Sequence, residues 1–336
     1  PVTLQTLGRQ AAIRSTGGKI SAHAKVDEIT GELMFFDYGN EPPFMHYGVL
    51  GPDGALRHHV PIALPGPRLP HDMAVTEHYS IVHDLPLFHD PQAMALGRHK
   101  IDFHPELPTR FGVIPRLGRS EEVRWFDFTP CFLYHVVNAW EDGDWITMVA
   151  CRYMPALRAD GGIDAPRTAR NVAELKMTAR LWRWRMNLRT GESEEACLDP
   201  DRNVEFPTCN AALTGRRTRY GYLADQMEQS TLQWNGLRKY DLDSGALLSS
   251  WTDSAEHSWY SEPWFAAADA PAAEDHGYVI AFQFNAATQQ QTLDILDARD
   301  LGLGPVAQVA LPRHVPTGFH GCWMAAGRIP HWNSPR

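Results

Sequence analysis

The 336-residue chain carries 31 Lys and Arg against 40 Asp and Glu, a formal charge of −9, so it has no cationic excess with which to neutralise nucleic-acid phosphates. Its apolar runs stop well short of the roughly 20 residues a membrane span needs, its first residues show no signal-peptide pattern of basic, apolar and small residues, and 43% hydrophobic with 21% charged residues argues against a disordered chain. The length allows about two domains or one large all-β domain; no linker composition divides it, so a single domain over residues 1–336 is expected.

The chain starts at Pro1, and residues 1–10 read as the middle of a strand and turn; the expectation is a fragment lacking its natural N-terminal part. Residues 31–37 (Gly-Glu-Leu-Met-Phe-Phe-Asp), 182–188 (Trp-Arg-Trp-Arg-Met-Asn-Leu) and 277–284 (Gly-Tyr-Val-Ile-Ala-Phe-Gln-Phe) predict strands, from period-two alternation and aromatic or β-branched enrichment. Arg183 and Arg185 fall on the face opposite Trp182, Trp184 and Met186, where a solvated strand face is the simplest reading. Between the strands, residues 88–110 are rich in Pro and His with room for a short helix, and residues 154–173 are rich in Pro, Arg, Asp and Gly. Both read as long insertions between blades, of the kind that form functional lids.

One turn recurs. Residues 26–33 (Val-Asp-Glu-Ile-Thr-Gly-Glu-Leu) resemble 240–247 (Tyr-Asp-Leu-Asp-Ser-Gly-Ala-Leu) and 186–192 (Met-Asn-Leu-Arg-Thr-Gly-Glu); 296–302 is a looser copy, and 51–56 a shorter hairpin signal. Asp or Asn opens the turn by bonding its own backbone, and Gly takes the positive φ. Gly191 to Gly245 is 54 residues and Gly245 to Gly302 is 57, a period that points to propeller blades. Eleven Trp, 14 Phe and 10 Tyr with 26 Gly and 25 Pro fit such a turn-rich all-β protein.

Several motifs drop out. Gly302-Leu303-Gly304-Pro305-Val306-Ala307 matches a dinucleotide fingerprint in letters only, since Pro305 occupies the turn and no helix follows. P-loop, G-x-S-x-G and H-E-x-x-H patterns are missing. His104-Pro105-Glu106 lies in an irregular Pro-rich stretch and reads as a chance match. The five cysteines (Cys131, Cys151, Cys197, Cys209, Cys322) form no C-x-x-C pair; free thiols in a reducing compartment, and so a cytoplasmic location, are expected.

Sixteen histidines are many for this length. Four stand near the mouth of a strand: His23 in Ser21-Ala22-His23-Ala24-Lys25, His71 in Leu69-Pro70-His71-Asp72-Met73, His135 in Phe132-Leu133-Tyr134-His135-Val136, and His320 in Gly318-Phe319-His320-Gly321. Their separations of 48, 64 and 185 residues are too long for a zinc finger but natural for equivalent positions on separate blades, which converge on a propeller axis.

These four segments resemble the carotenoid cleavage oxygenases, a family that includes bacterial lignostilbene- and isoeugenol-cleaving enzymes and the retinal isomerohydrolase. The resemblance continues through Arg110-Phe111-Gly112-Val113-Ile114-Pro115-Arg116, Val204-Glu205-Phe206-Pro207 and Tyr260-Ser261-Glu262-Pro263. It implies a seven-bladed β-propeller with a dome of loops and helices over the metal face, here without one or more N-terminal blades. It implies Fe(II) held by His23, His71, His135 and His320, with Glu205 behind the third ligand and Glu262 behind the fourth; the glutamate behind the second belongs before residue 1. Ala24 stands where the family usually has Pro, and Trp264 where a smaller apolar residue is common.

The implied activity is an Fe(II)-dependent dioxygenase that splits a conjugated C=C bond with O2 into two carbonyl products. Its substrate would be a carotenoid or apocarotenoid, or a phenolic stilbene or phenylpropene, with a lean toward the stilbene branch. Four neutral imidazoles leave Fe(II) its full charge and, if octahedral, two open positions. A carboxylate accepting the other ring N–H fixes the tautomer and raises ligand basicity. Affinity alone would favour copper or zinc at an all-nitrogen site, so iron follows from the resemblance. Phe132, Phe206, Trp264 and Phe319 are candidates to wall a tunnel for an apolar conjugated substrate, with packed core the equal alternative for each. A non-catalytic propeller scaffold, or a relative catalysing isomerisation or hydrolysis, are the rival readings.

Overall fold

The computed structural model describes residues 11–14, 16–176, 178–227, 233–253, 258–316 and 318–325. The strand expected within residues 1–10 lies outside them. Apart from the short helices α1 (Ala11–Arg14), α2 (Pro91–Ala95) and α3 (Ala165–Ala173) and three 3-10 turns, the regular structure is β.

The strands form five antiparallel sheets in chain order. Sheet I holds β1 (Lys25–Val26), β2 (Leu33–Tyr38), β3 (Phe44–Leu50) and β4 (Leu56–Ala63). Sheet II holds β5 (Ala74–Val75), β6 (Tyr79–Asp84), β9 (Thr109–Pro115) and β10 (Arg124–Phe128), with the small ribbon β7 (Leu87–His89) and β8 (Ile101–Phe103) inserted. Sheet III holds β11 (Phe132–Asp142), β12 (Trp145–Tyr153), β13 (Ala179–Asn187) and β14 (Ser193–Asp199). Sheet IV holds β15 (Val204–Thr208), β16 (Tyr220–Gln226), β17 (Trp234–Asp241) and β18 (Leu247–Trp251). In sheet V, β19 (Ser258–Tyr260) and β20 (Trp264–Ala267) pair with successive parts of β21 (Gly277–Asn285), followed by β22 (Gln290–Asp297) and β23 (Pro305–Ala310). The three strands expected at 31–37, 182–188 and 277–284 are thus β2, β13 and β21.

Each sheet buries its faces against its neighbours. Met34, Phe36, Met45 and Tyr47 of sheet I pack with Val82 and Ile114 of sheet II. Phe111 of sheet II, Met148 and Trp184 of sheet III and Leu223 of sheet IV share one core, while Tyr222 and Leu237 of sheet IV meet Val279 and Leu296 of sheet V. The first strands β5, β11 and β15 lie against one another along one edge of this stack.

The turns work as their composition predicts. Asp27, Asn187 and Asp241 each accept two backbone N–H groups two and three residues ahead, and Gly31, Gly191 and Gly245 take φ of 73°, 84° and 77°. The copies at 187, 241 and 297 all join third to fourth strands, which sets the period. The copy at Asp27 joins first to second, so it falls out of step. In the fourth copy the left-handed glycine is Gly304, not Gly302, because a 3-10 turn over Leu301–Leu303 lengthens the loop.

The two long insertions differ from expectation. They do not run between sheets: residues 88–110 lie between β6 and β9 of sheet II, and residues 154–173 between β12 and β13 of sheet III. Each leaves from the end of the second strand that adjoins the histidine-bearing start of the first strand. There α3 packs on β8 through Ala169, Val172 and Phe103. Arg183 and Arg185 are half-buried rather than freely solvated; they donate to Asp243 O and to Glu194.

At the opposite end, Asp27 ties three sheets together. Its Oδ2 accepts from Arg116 (2.7 Å), which follows β9, and from Arg216 (2.8 Å), in the loop between β15 and β16. Burial alone would raise this carboxyl; the Arg216 and Arg116 hydrogen bonds outweigh it and hold the pKa down to about 2. A depressed carboxyl stabilises the fold fully above its ordinary value and loses that contribution as pH falls through about 2. Asp27→Asn should therefore cost about 2 kcal/mol at pH 7, with the gap to wild type closing toward pH 2. Denaturant midpoints at pH 7, 4 and 2 check this; a gap that does not narrow would remove Asp27 from the acid response.

Candidate metal centre

Three of the four selected histidines stand at the starts of first strands. His23 precedes β1, His71 precedes β5, and His135 lies in β11; His320 follows β23. The structure brings all four together: each offers a ring nitrogen, and these atoms lie within 4.8 Å of one another. His23 Nε2 and His71 Nε2 are 3.0 Å apart. Ring centroids are separated by 4.6 Å (His23–His71), 4.9 Å (His23–His135), 4.8 Å (His23–His320) and 4.7 Å (His135–His320).

Local irregularity aims the rings. The β11–β12 register shifts between Leu133 and Val136 and again before Asn138, the bulge geometry that redirects a side chain. β15 is irregular after Glu205, and Phe206 takes φ of 50°. Glu205 is 2% exposed; its Oε2 lies 2.6 Å from His135 Nδ1 and also accepts the Phe206 N–H. Glu262 stands in the break between β19 and β20. Its Oε1 lies 3.1 Å from His320 Nδ1, and its Oε2 accepts from Gly321 N (3.0 Å) and from the Trp264 indole (3.2 Å).

Burial lowers His23 to about 4 and His71 to about 3, so both rings are neutral near pH 7. For His135 burial also lowers the pKa, but the Glu205 charge and hydrogen bond more than reverse it and the net direction is up. With Nδ1 turned to Glu205, His135 Nε2 is buried without a hydrogen-bond partner. An orphaned imidazole nitrogen among three others fits a divalent first-row transition metal.

The aromatic candidates separate. Phe206 lies 5.4 Å from both His135 and His320 and packs on Trp234. Phe132 is fully buried against Tyr134 and Tyr153 and lines a small cavity under α3. Trp264 packs edge-on to Phe282 while bonding Glu262. Phe319 is 57% exposed. A cavity of about 530 Å3 opens beside His23 and His71 and is lined also by Lys19, Ser21, Asp37 and Tyr38. The set-aside pair His104–Glu106 is a loop contact of 2.9 Å, not part of the cluster.

Sequence reasoning missed Asp72, Lys25 and Tyr134. Tyr134 meets His71 edge-on at 4.5 Å. Asp72 is 1% exposed; it accepts from Met73 N (2.7 Å), Val136 N (2.8 Å) and Lys25 Nζ (2.7 Å). Burial would raise its carboxyl, but Lys25 first and then His23 bring it down to about 2. The available signal was adjacency: Asp72 follows His71, Val136 follows His135, and Lys25 is two residues from His23.

Stacked antiparallel sheets that present four imidazoles, two of them backed by glutamates, define an all-β scaffold built around a histidine cluster. The family model described as "Retinal pigment epithelial membrane protein" (RPE65) matches residues 1–325. The chain belongs to this family, that of the carotenoid cleavage oxygenases. Carotenoid 9,10(9',10')-cleavage dioxygenase 1 of Pisum sativum is 33% identical over 342 residues, spanning 97% of this chain and 62% of its own. Zeaxanthin 7,8(7',8')-cleavage dioxygenase of Crocus sativus is 30% identical, spanning 97% of this chain and 87% of its own. The crystal structure of Pseudomonas brassicacearum lignostilbene dioxygenase superposes with a TM-score of 0.82 at 29% identity, covering 96% of this chain and 69% of that one. Among the described residues no helix is long and apolar enough to cross a membrane.

Asp72→Asn keeps the side-chain shape but leaves Lys25 unpaired. It should lower stability by about 3 kcal/mol and reduce metal retention, because three ligand segments lose a shared anchor. Denaturant unfolding with metal analysis checks this, and wild-type values for both would remove Asp72 from the support of the site.

Proposed function

We propose that His23, His71, His135 and His320 bind Fe(II), and that the protein is a dioxygenase splitting a conjugated C=C bond with O2 into two carbonyl products. The observation that carries the reading is the convergence of four imidazoles, with His135 Nε2 buried and unpartnered and carboxylates at His135 Nδ1 and His320 Nδ1. Bound Fe(II) would supply open positions at which O2 and the alkene meet. Glu205 would accept the Nδ1 proton of His135 and leave Nε2 as the atom to hold the ion; Glu262 would do the same for His320. Phe206, against both rings, excludes water from that side.

The substrate class is an apolar conjugated molecule, a carotenoid or apocarotenoid or a phenolic stilbene or phenylpropene. The carotenoid-cleaving plant relatives and the lignostilbene dioxygenase structure support it. The five sheets would belong to a seven-bladed propeller. A reducing, cytoplasmic compartment is supported by five cysteines that are all free thiols.

His135→Ala and His320→Ala should each abolish stoichiometric iron and activity. Glu205→Gln should weaken iron retention roughly 10–100-fold. In 18O2 the wild-type enzyme should place label in both carbonyl products. Full iron content in either histidine variant would refute the site, and label in one product or neither would refute the dioxygenase outcome in favour of monooxygenation, isomerisation or hydrolysis.

A further inference from the structure

A second group of metal-competent side chains lies on sheet I, outside the four-histidine cluster. Asp37 of β2 is the cross-strand partner of His46 in β3, and Gly48 of β3 is the partner of His59 in β4. Alternation puts Phe35, Asp37, His46, Gly48 and His59 on one face, opposite the face that packs on sheet II through Met34, Phe36, Met45 and Tyr47. Gly48 is required here: a Cβ would come 2.4 Å from the Phe35 ring, which lies across the strand. The His59 ring stacks on Phe35 at 6.2 Å and on His46 at 5.0 Å.

Two of the three polar groups satisfy each other and one does not. The Asp37 side chain is 6% exposed. Its Oδ1 lies 3.0 Å from His46 Nδ1 and accepts the His46 backbone N–H at 3.2 Å. That contact accounts for Asp37 and His46 but not for His59, whose Nε2 is buried with no hydrogen-bond partner. Burying such a nitrogen unpaired is costly. One atom from each of the three residues lies within 4.8 Å of the other two.

We propose that Asp37, His46 and His59 bind a divalent transition-metal cation, at a site separate from the four-histidine centre. Two imidazoles and one carboxylate are a borderline donor set suited to Zn2+ or Co2+. A cation would neutralise the sunken carboxylate, satisfy His59 and clamp β2, β3 and β4. Ligand bonds of about 2.1 Å require the side chains to close by roughly 1 Å around the ion. Asp37 also lines the cavity shared with His23 and His71, so the clamp would brace one wall of the proposed substrate approach.

The test uses the full-length, iron-loaded protein with Co2+ as probe. Wild type should retain one Co2+ per chain after desalting, with a visible ligand-field spectrum and no loss of iron. Asp37→Asn and His59→Phe, the latter preserving the stacked ring, should each weaken Co2+ retention at least tenfold while iron content and circular dichroism stay unchanged. Zn2+ should raise Tm in wild type and in neither variant, and His59→Gln serves where His59→Phe does not fold. If wild type retains no cobalt beside its iron, or if the variants retain it as wild type does, the site is refuted. Iron content in the same samples reports on the four-histidine reading independently.

Discussion

The Asp72 carboxylate is the contact on which the geometry of the histidine cluster depends. It reaches Lys25, two residues beyond His23, and the backbone N–H of Val136, next to His135, while sitting beside His71 in the chain. Three segments from three sheets are fixed by one buried charge. A charge at that depth is tolerated only because every neighbour donates to it: two backbone N–H groups and an ammonium. Packing alone sets the distance between sheets, but it does not set the rotation of a loop at a strand mouth. Directional bonds to a single acceptor do.

The same logic continues outward in the two glutamates. Glu205 belongs to the first strand of sheet IV and Glu262 to the interrupted first strand of sheet V. The strand position that supplies His71 and His135 in sheets II and III therefore supplies the supporting carboxylates in the next two. Bulges mark the cost of this use. Both β11 and β15 lose regular pairing at the functional residue, and the first strand of sheet V is split around Glu262 by Ser261 and Pro263. A regular ladder would send these side chains alternately into the intersheet cores, so the ladder gives way where chemistry requires another direction.

Much of this was legible in the residues. Alternation located β2, β13 and β21, and the Asx turns at Asn187 and Asp241 reported the sheet-to-sheet period, because the third-to-fourth strand turns of sheets III and IV are built alike. The four histidines were legible as segments at strand mouths, with family resemblance selecting them from sixteen. The insertions were misplaced because composition shows that a stretch is irregular, not which two strands it joins. Asp72 was invisible for a related reason: its partners are backbone amides, which carry no sequence signature. Trp264 and Phe319 were candidates for a tunnel wall or for packed core; the Trp264 indole N–H donates to Glu262, and Phe319 is largely exposed next to His320. An aromatic letter gives buried area to spend but not the direction of its polar edge.

Charge balance connects these features to the proposed ion. Around the four rings stand three carboxylates, Asp72, Glu205 and Glu262, and one ammonium, Lys25. That leaves two negative charges around the rings, which a divalent cation balances. Glu205 draws positive charge toward His135, as its raised pKa shows, and a cation bound at Nε2 meets the same demand without protonating the ring. A site intended for a neutral ligand would leave the pair of glutamates unbalanced, and one intended for an anion would add to the excess. The imidazoles supply the bonds; the carboxylates behind them set the charge of what those bonds should hold.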